Sequence, residues 1–375
     1  MRDVHPTVEK AVETLPLNSL TRRRLLRGTG LASASLAASA LLAACTDDPV
    51  AAEGAVGNFP RTPSWKFVFV CHVTTNPFFT PTQYGAEDAC KLLGVQFQWT
   101  GSVNSVVAEM VDATNTAVSA KSDGIAVAVV DKAAFKAPVD QALDAGIPVV
   151  SFNADGAPDD PGTNRLAYIG QGLYESGYEL GRRALTQLDG GEVAGFIATP
   201  GQLNIQPRID GAQAAFKDSG KPVTFTPIAT NADVTQGLSI IDAYVQGHPN
   251  LAGLLAVDAG STQSVGQTVA KYKLREKGLK VAGGFDLVPE TLAAVKSGDL
   301  DYTIDQQPYL QGFLPVLALY LYKLTGGLLF PTQTNTGLLF VTKDNVDPYQ
   351  GTKTRYEGSD TAVKLVERSG PIAHP

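Results

Sequence analysis

Between residues 66 and 341 the chain alternates short, nearly continuous apolar runs with longer stretches whose apolar residues recur at helical spacing. The first run, Lys-Phe-Val-Phe-Val-Cys at 66–71, has no polar alternation, as expected of a strand buried on both faces. It breaks at Thr74-Thr75-Asn76-Pro77, and a helical pattern runs from near Phe79 to a stop at Gly94. Strand, polar turn and helix make the first half of a βαβ unit. The same reading predicts strands at 95–99, 124–130, 148–152 and 166–169, with helices at 104–120 and 132–145. Gly170-Gln171-Gly172 is a candidate hinge, after which the pattern restarts. Helices are predicted at 174–188, 209–219, 233–246, 261–277 and 290–297, and strands at 192–197, 223–228, 251–257, 280–285 and 302–305. Glycines at 94, 146, 220 and 278 stop helices just before strands.

Such alternation implies α/β architecture with doubly wound parallel sheets, and the restart implies two sheets rather than one very wide one. A helix at 309–325 and a strand at 337–341 follow the second run, so the chain is expected to cross between lobes more than once. The expected division is an N-terminal lobe of 65–170 plus 307–335 and a C-terminal lobe of 171–306 plus 336–350. The polar, poorly periodic segment 351–375 reads as a surface-hugging or mobile tail.

The N-terminus departs from this pattern. Arg22-Arg23-Arg24 precedes a mild Ala/Ser/Leu segment over 28–44 that ends Leu42-Ala43-Ala44-Cys45. A basic region, a short apolar region and small residues before a cut describe an export signal rather than a membrane span. Residues 47–63, rich in Pro, Gly and Ala, read as a flexible tether. Two other cysteines follow, Cys71 and Cys90. The helix runs back antiparallel to the first strand, which separates Cys90 from Cys71 by more than a disulfide spans. Two buried free thiols are expected. The net charge of −7, with no basic block beyond the N-terminus, argues against a nucleic-acid partner.

In open parallel sheets ligands sit beyond the carboxyl ends of the strands. There the chain places His72, Asn76, Phe78 and Phe79 after the first strand, and Asn153-Ala154-Asp155 after the strand at 148–152. Gln202, Asn204 and Arg208 follow the strand at 192–197, and Asn231, Asp258, Asp286 and Gln306 follow later strands. Amides, carboxylates and one guanidinium beside aromatic rings suit hydroxyl-rich ligands, since each OH donates and accepts while C–H faces stack on rings. Simpler roles exist for single residues. Asp286 suits a helix cap, Arg208 could pair with Asp210, and His72 could be a satisfied buried histidine.

Several motifs carry a resemblance. The paired arginines resemble the twin-arginine export motif, and Leu42-Ala43-Ala44-Cys45 resembles a lipobox, which implies lipidation of Cys45 and a mature chain of 375 − 44 = 331 residues anchored outside the cytoplasm. Thr75-Asn76-Pro77-Phe78-Phe79, Arg208-Ile209-Asp210-Gly211, Gly284-Phe285-Asp286 and Asp305-Gln306-Gln307-Pro308 resemble, in order, motifs of type I periplasmic binding proteins in the ribose/galactose-binding branch. The similarity covers roughly 66–341. It implies two hinged lobes, and ligand contacts at Asn76, Phe78, Phe79, Asn153, Arg208, Asp258, Asp286, Gln306 and His72. It also implies a monomeric lipoprotein, without cofactor or metal, that delivers a small sugar or polyol to an ABC-type permease. The chain has Asn153-Ala154 where ribose binders carry Asp-Arg, and Ala232 where they place an aromatic, so the pocket is expected to be roomier than a ribose site. A sensory subunit serving a membrane kinase or chemoreceptor would look the same in sequence. An exported carbohydrate-active enzyme is the third reading, but the chain has no Gly-x-Ser-x-Gly elbow, His-Glu-x-x-His or P-loop.

Overall fold

A computed structural model describes residues 62–156, 162–327 and 330–350. The export signal, Cys45, the tether up to residue 61 and the tail at 351–375 lie outside the described residues. In the first lobe the strands are β1 (Lys66–Cys71), β2 (Gln96–Gly101), β3 (Gly124–Val127), β4 (Val149–Phe152) and β5 (Ala167–Gly170). Its helices are α1 (Thr80–Leu93), α2 (Val107–Ser119) and α3 (Lys132–Asp144). The second run comprises α4 (Leu173–Ala184), β6 (Gly191–Ile197), α5 (Gln206–Asp218), β7 (Val223–Ala229), α6 (Val234–Gly247) and β8 (Leu251–Ala256). It continues with α7 (Ala259–Tyr272), β9 (Val281–Phe285), α8 (Pro289–Ser297) and β10 (Tyr302–Asp305). Then come α9 (Leu310–Thr325), β11 (Gln333–Asn335) and β12 (Leu339–Thr342).

The first sheet has the order β11-β5-β4-β3-β1-β2 and the second β12-β10-β9-β8-β6-β7. The two orders are the same once each lobe is counted from its own first strand. Every pairing is parallel except β12 on β10. Parallel strands covered on both faces need apolar residues throughout, which is why β1, β4 and β9 read as continuous runs. The first core gathers Phe67, Phe69, Phe79, Phe135 and Phe152 with Val316, Leu319 and Tyr320 of α9, so this helix returns to the first lobe. The second sheet has a core on each face, one around Phe196, Val265 and Val341, the other around Ile209, Phe216, Phe285 and Tyr302.

Glycine pairs let helices touch in both lobes. A methyl on Gly85 or Gly312 would overlap the backbone of α9 or α1, and a methyl on Gly177 or Gly211 would overlap α5 or α4. Cys71 and Cys90 are buried free thiols, as the geometry of the first βα unit requires. Burial pushes the Cys90 thiol up to about 12 and raises Cys71 further, so neither is a nucleophile near neutral pH.

Several element ends shift by a few residues from the sequence reading, and two differences bear on the crossings and the site. Strand β11 is Gln-Thr-Asn, polar and without alternation; its pairing with β5 at the sheet edge makes it a strand, and no hydrophobic pattern could announce it. Helix α5 starts at Gln206 rather than at 209, because Pro207 supplies the preset φ of a first turn. Arg208 therefore sits inside the helix, not ahead of it.

Candidate functional site

The carboxyl ends of both sheets face one hollow of about 580 Å³, counted to its mouth. It is lined by His72, Asn76, Phe78, Phe79, Ser105 and Asn153 from the first lobe and by Thr199, Asn204, Arg208, Ala232, Asp258 and Asp286 from the second. Gln306, on the crossing between β10 and α9, also lines it. All nine residues that the resemblance marked as contacts line it.

Each is held by local chemistry. Asn76 caps the short turn Pro77–Phe79, its Oδ1 accepting from Phe78 N at 3.0 Å, and so aims the two phenylalanines inward. Phe78 and Phe79 meet edge-to-face with centroids 4.7 Å apart, and Phe79 meets the His72 ring at 5.3 Å. Asn153 and Asp286 follow β4 and β9 at matching places in the two sheets. Both hold left-handed backbone, φ 61° and 76°, a conformation costly for residues with a Cβ and common where a site dictates it. Both carbonyls accept a hydroxyl from the neighbouring strand, Tyr168 on Asn153 at 3.2 Å and Thr303 on Asp286 at 2.8 Å. An amide chain joins the two positions. Asn153 Nδ2 donates to Gln311 Oε1 at 3.0 Å, Gln311 Nε2 to Gln306 Oε1 at 3.1 Å, and Gln306 Nε2 to Asp286 Oδ1 at 2.7 Å.

Arg208 is 2% exposed and does not pair with Asp210, which accepts from Gln206 instead. Its guanidinium donates to Val257 O at 2.9 Å and to Gln171 Oε1 at 3.0 Å, and lies over the Phe285 ring at 4.0 Å. The close contact of Gly177 with the Arg208 backbone brings it this far in. Burial lowers the Arg208 pKa, while Asp286, Tyr168 and Asp258 work to hold the charge. Burial raises Asp286 to about 6 against the pull of Arg208 and the bond from Gln306. Asp286 does not cap the next helix, whose N-cap is Val288. Asp258 does cap one: its Oδ1 accepts from Ser261 N at 2.8 Å and its Oδ2 from Ala198 N at 3.0 Å. Burial raises Asp258 and these two bonds oppose it. A carboxylate has about four lone-pair sites, so Asp258 keeps acceptor capacity toward the hollow.

Other sequence candidates lie elsewhere. Asn231 is exposed and bonds Asp233 N and Gln236. Asp155 is buried against Arg165, Nε to Oδ2 at 2.7 Å. Of the two positions expected to widen the pocket, Ala232 lines the hollow, whereas Ala154 is fully buried and does not. Sequence reasoning missed Ser105, Thr199, Gln171 and Gln311. Gln311 sits within α9 at an apolar-periodic place, and a lone glutamine among Leu, Phe and Val was the one available signal. Among the described residues no cluster of His, Cys, Asp and Glu could hold a metal, and no helix is long and apolar enough to cross a membrane.

Two α/β lobes with equal strand order, joined by three crossings and opposing their strand ends across a hollow, define the type I periplasmic binding protein fold. The chain belongs to that family: the family model described as periplasmic binding protein domain matches residues 67–326. It is 48% identical over 318 residues to the xylose/arabinose-binding protein XylF of Sulfolobus acidocaldarius, covering 82% of this chain and 78% of the relative. A putative rhizopine-binding protein of Rhizobium meliloti is 27% identical over 286 residues, 74% of this chain and 90% of that one. Among solved structures, an ABC transporter solute-binding protein of Burkholderia graminis in complex with D-arabinose superposes with a TM-score of 0.71 at 25% identity, covering 78% of this chain and 99% of that one. A carbohydrate transporter protein of Acidothermus cellulolyticus in complex with myo-inositol gives 0.67 at 27% identity, covering 77% and 97%. These relatives are binding proteins and not enzymes.

Proposed function

We propose that this protein captures a small neutral sugar, with pentoses first, between its lobes by hinge closure, and presents the closed form to an ABC-type permease. The carrying observation is that an uncharged aromatic and amide rim faces a rim bearing Arg208, Asp258 and Asp286 across one hollow. A charged donor and charged acceptors give strong hydrogen bonds to hydroxyls, about 1.5–3 kcal/mol each, and rings take the C–H face. The relative that binds xylose and arabinose supports the pentose reading. The lobes that close are 65–170 plus 307–335 and 171–306 plus 336–350, with the ligand bridging them and so favouring the closed state. Export as a twin-arginine-type lipoprotein anchored through Cys45 on the extracytoplasmic face completes the proposal, with tether enough to reach a permease.

A thermal-shift and calorimetric panel of D-xylose, L-arabinose, ribose, hexoses, alditols and myo-inositol tests it. Micromolar or tighter binding of a pentose is the expected result. A cyclitol is the second reading, favoured by the myo-inositol complex of a structural relative, and tighter binding of myo-inositol than of any pentose would select it. Silence across the panel would sink both.

A further inference from the structure

The loop between β6 and α5 belongs to the second lobe by sequence, yet it is bonded to the first. Leu203 N donates to Val130 O at 2.9 Å. Gln202 and Ser105 exchange two bonds, Ser105 Oγ to Gln202 Oε1 at 2.6 Å and Gln202 Nε2 to Ser105 O at 3.0 Å. Deepest in this seam, Asn204 Nδ2 lies 3.1 Å from His72 Nε2. Both side chains are buried, 8% and 5% exposed, and both line the hollow. With the Asn204 amide assigned this way its nitrogen donates, Nε2 accepts, and the imidazole is neutral with its proton on Nδ1. His72 Nδ1 and Asn204 Oδ1 have no protein partner.

A protonated His72 would turn Nε2 into a donor pointed at another donor. It would also place a second cation in the hollow with Arg208. From the first lobe the hollow carries no charged side chain that could offset this, only His72, Val73, Asn76, Phe78, Phe79, Ser105 and Asn153. From the second lobe Arg208, Asp258 and Asp286 face it, the two carboxylates already engaged by Ser261 and Ala198 and by Gln306.

We propose that Asn204 is a cross-cleft positioning residue: by donating to His72 only when the lobes meet, it couples sugar capture to the neutral, Nδ1-protonated form of that imidazole. This rests on the sugar-binding reading above. Burial, and then Arg208, push His72 in the closed form from 6.5 down to about 3. With the lobes apart the ring is clear of Arg208 and open to water, so its pKa rises toward the ordinary 6.5, and at acid pH closing must expel a proton. The sign follows. A pKa depressed on closing means full affinity above about 6.5 and a progressive loss as pH falls, roughly thirtyfold between pH 8 and pH 5.

The experiment is the pH profile of D-xylose affinity by calorimetry, pH 8 to 4.5, for the wild-type protein, His72→Gln and Asn204→Asp. Glutamine can accept from Asn204 but cannot take the proton, so the His72→Gln slope should be one proton shallower than wild type, whatever its affinity at pH 8. Asp286 and Asp258 titrate in both proteins and drop out of that difference. Aspartate at 204 accepts from an imidazolium, so Asn204→Asp should lose the acid penalty or reverse it. Equal slopes in wild type and His72→Gln, or a wild-type profile in Asn204→Asp, overturn the proposal. If D-xylose and the remaining panel are silent at pH 8, the sugar reading fails, and nitrogen-15 NMR of His72, with the lobes held together by a short bis-thiol cross-linker between Ser105→Cys and Gln202→Cys, decides the latch alone. A neutral Nδ1–H ring that moves toward Nε2–H in Asn204→Asp supports it, and an ordinary titration near 6.5 in both proteins overturns it.

Discussion

The two rims of the hollow are built on the same strand order, and they differ in what they carry. After β3 the first lobe continues through the buried Ala128-Val129-Val130, whereas after β8 the second places Asp258. At the matching left-handed positions the first lobe has Asn153 and the second Asp286. The first lobe supplies rings and amides; the second supplies every charge in the hollow. Arg208 thus has its counter-charges on its own rim, where they are compensated whether the lobes are together or apart. Had the opposite charges been divided between rims, the lobes would attract each other without ligand, and the ligand would have less left to do. What the first lobe needs from closure is different: its hydrogen-bonding partners, Gln202 and Asn204, come across the seam.

The comparison can be broken most severely at Arg208. Arg208→Ala removes the cation that offsets the buried Asp286 and Asp258, so pentose affinity should fall by more than a hundredfold and the ligand-free melting temperature should fall too. Calorimetry and thermal melts read both; an unchanged melt would mean the charges of this rim are not mutually compensated. Next is Asp286→Asn, which keeps an acceptor for Gln306 but removes the charge. Sugar affinity should drop about a hundredfold. Stability should move the other way. Burial raises Asp286 in the folded state to about 6 from 3.8, so the carboxylate destabilises above that range and the penalty disappears as pH falls toward 4. The variant should therefore melt higher than wild type at pH 8, with the gain vanishing near pH 4. A gain independent of pH would assign it to packing.

Phe78→Ala on the uncharged rim should cost about tenfold in affinity, through a lost stacking face, with little pH dependence. A loss as large as at Asp286 would show the aromatic rim to be the dominant one. The smallest effect is expected at Asp210→Ala, below twofold, because that carboxylate bonds Gln206 and not the neighbouring arginine.

How much of this was legible in the amino-acid order differs between the parts. Strand β1 and its turn could be read directly, because a strand buried on both faces must be apolar and Asn-Pro must end it. Topology could place polar residues and two rings at strand ends, but it was the resemblance of four motifs that selected the nine candidate contacts from among them. Gln202 and Asn204 were visible as polar loop residues, but nothing in their spacing said they would cross to the other lobe. Gln171 read as part of a hinge, not as the amide that accepts from Arg208 and donates to Gly337 O at 3.1 Å. Strand β11 had no pattern to read.

The sequence by itself determined the alternation of buried strands and amphipathic helices, the doubling into two lobes, and the polar residues at their rims, because burial and turn chemistry are local demands on residue type. Tertiary structure alone decided which donor meets which acceptor: the return of α9 to the first lobe, the amide chain from Asn153 to Asp286, and the meeting of His72 with Asn204. The amide chain and the His72–Asn204 pair join residues up to 158 positions apart. They depend on rigid elements brought together by the cores, and no local pattern encodes the distance between them.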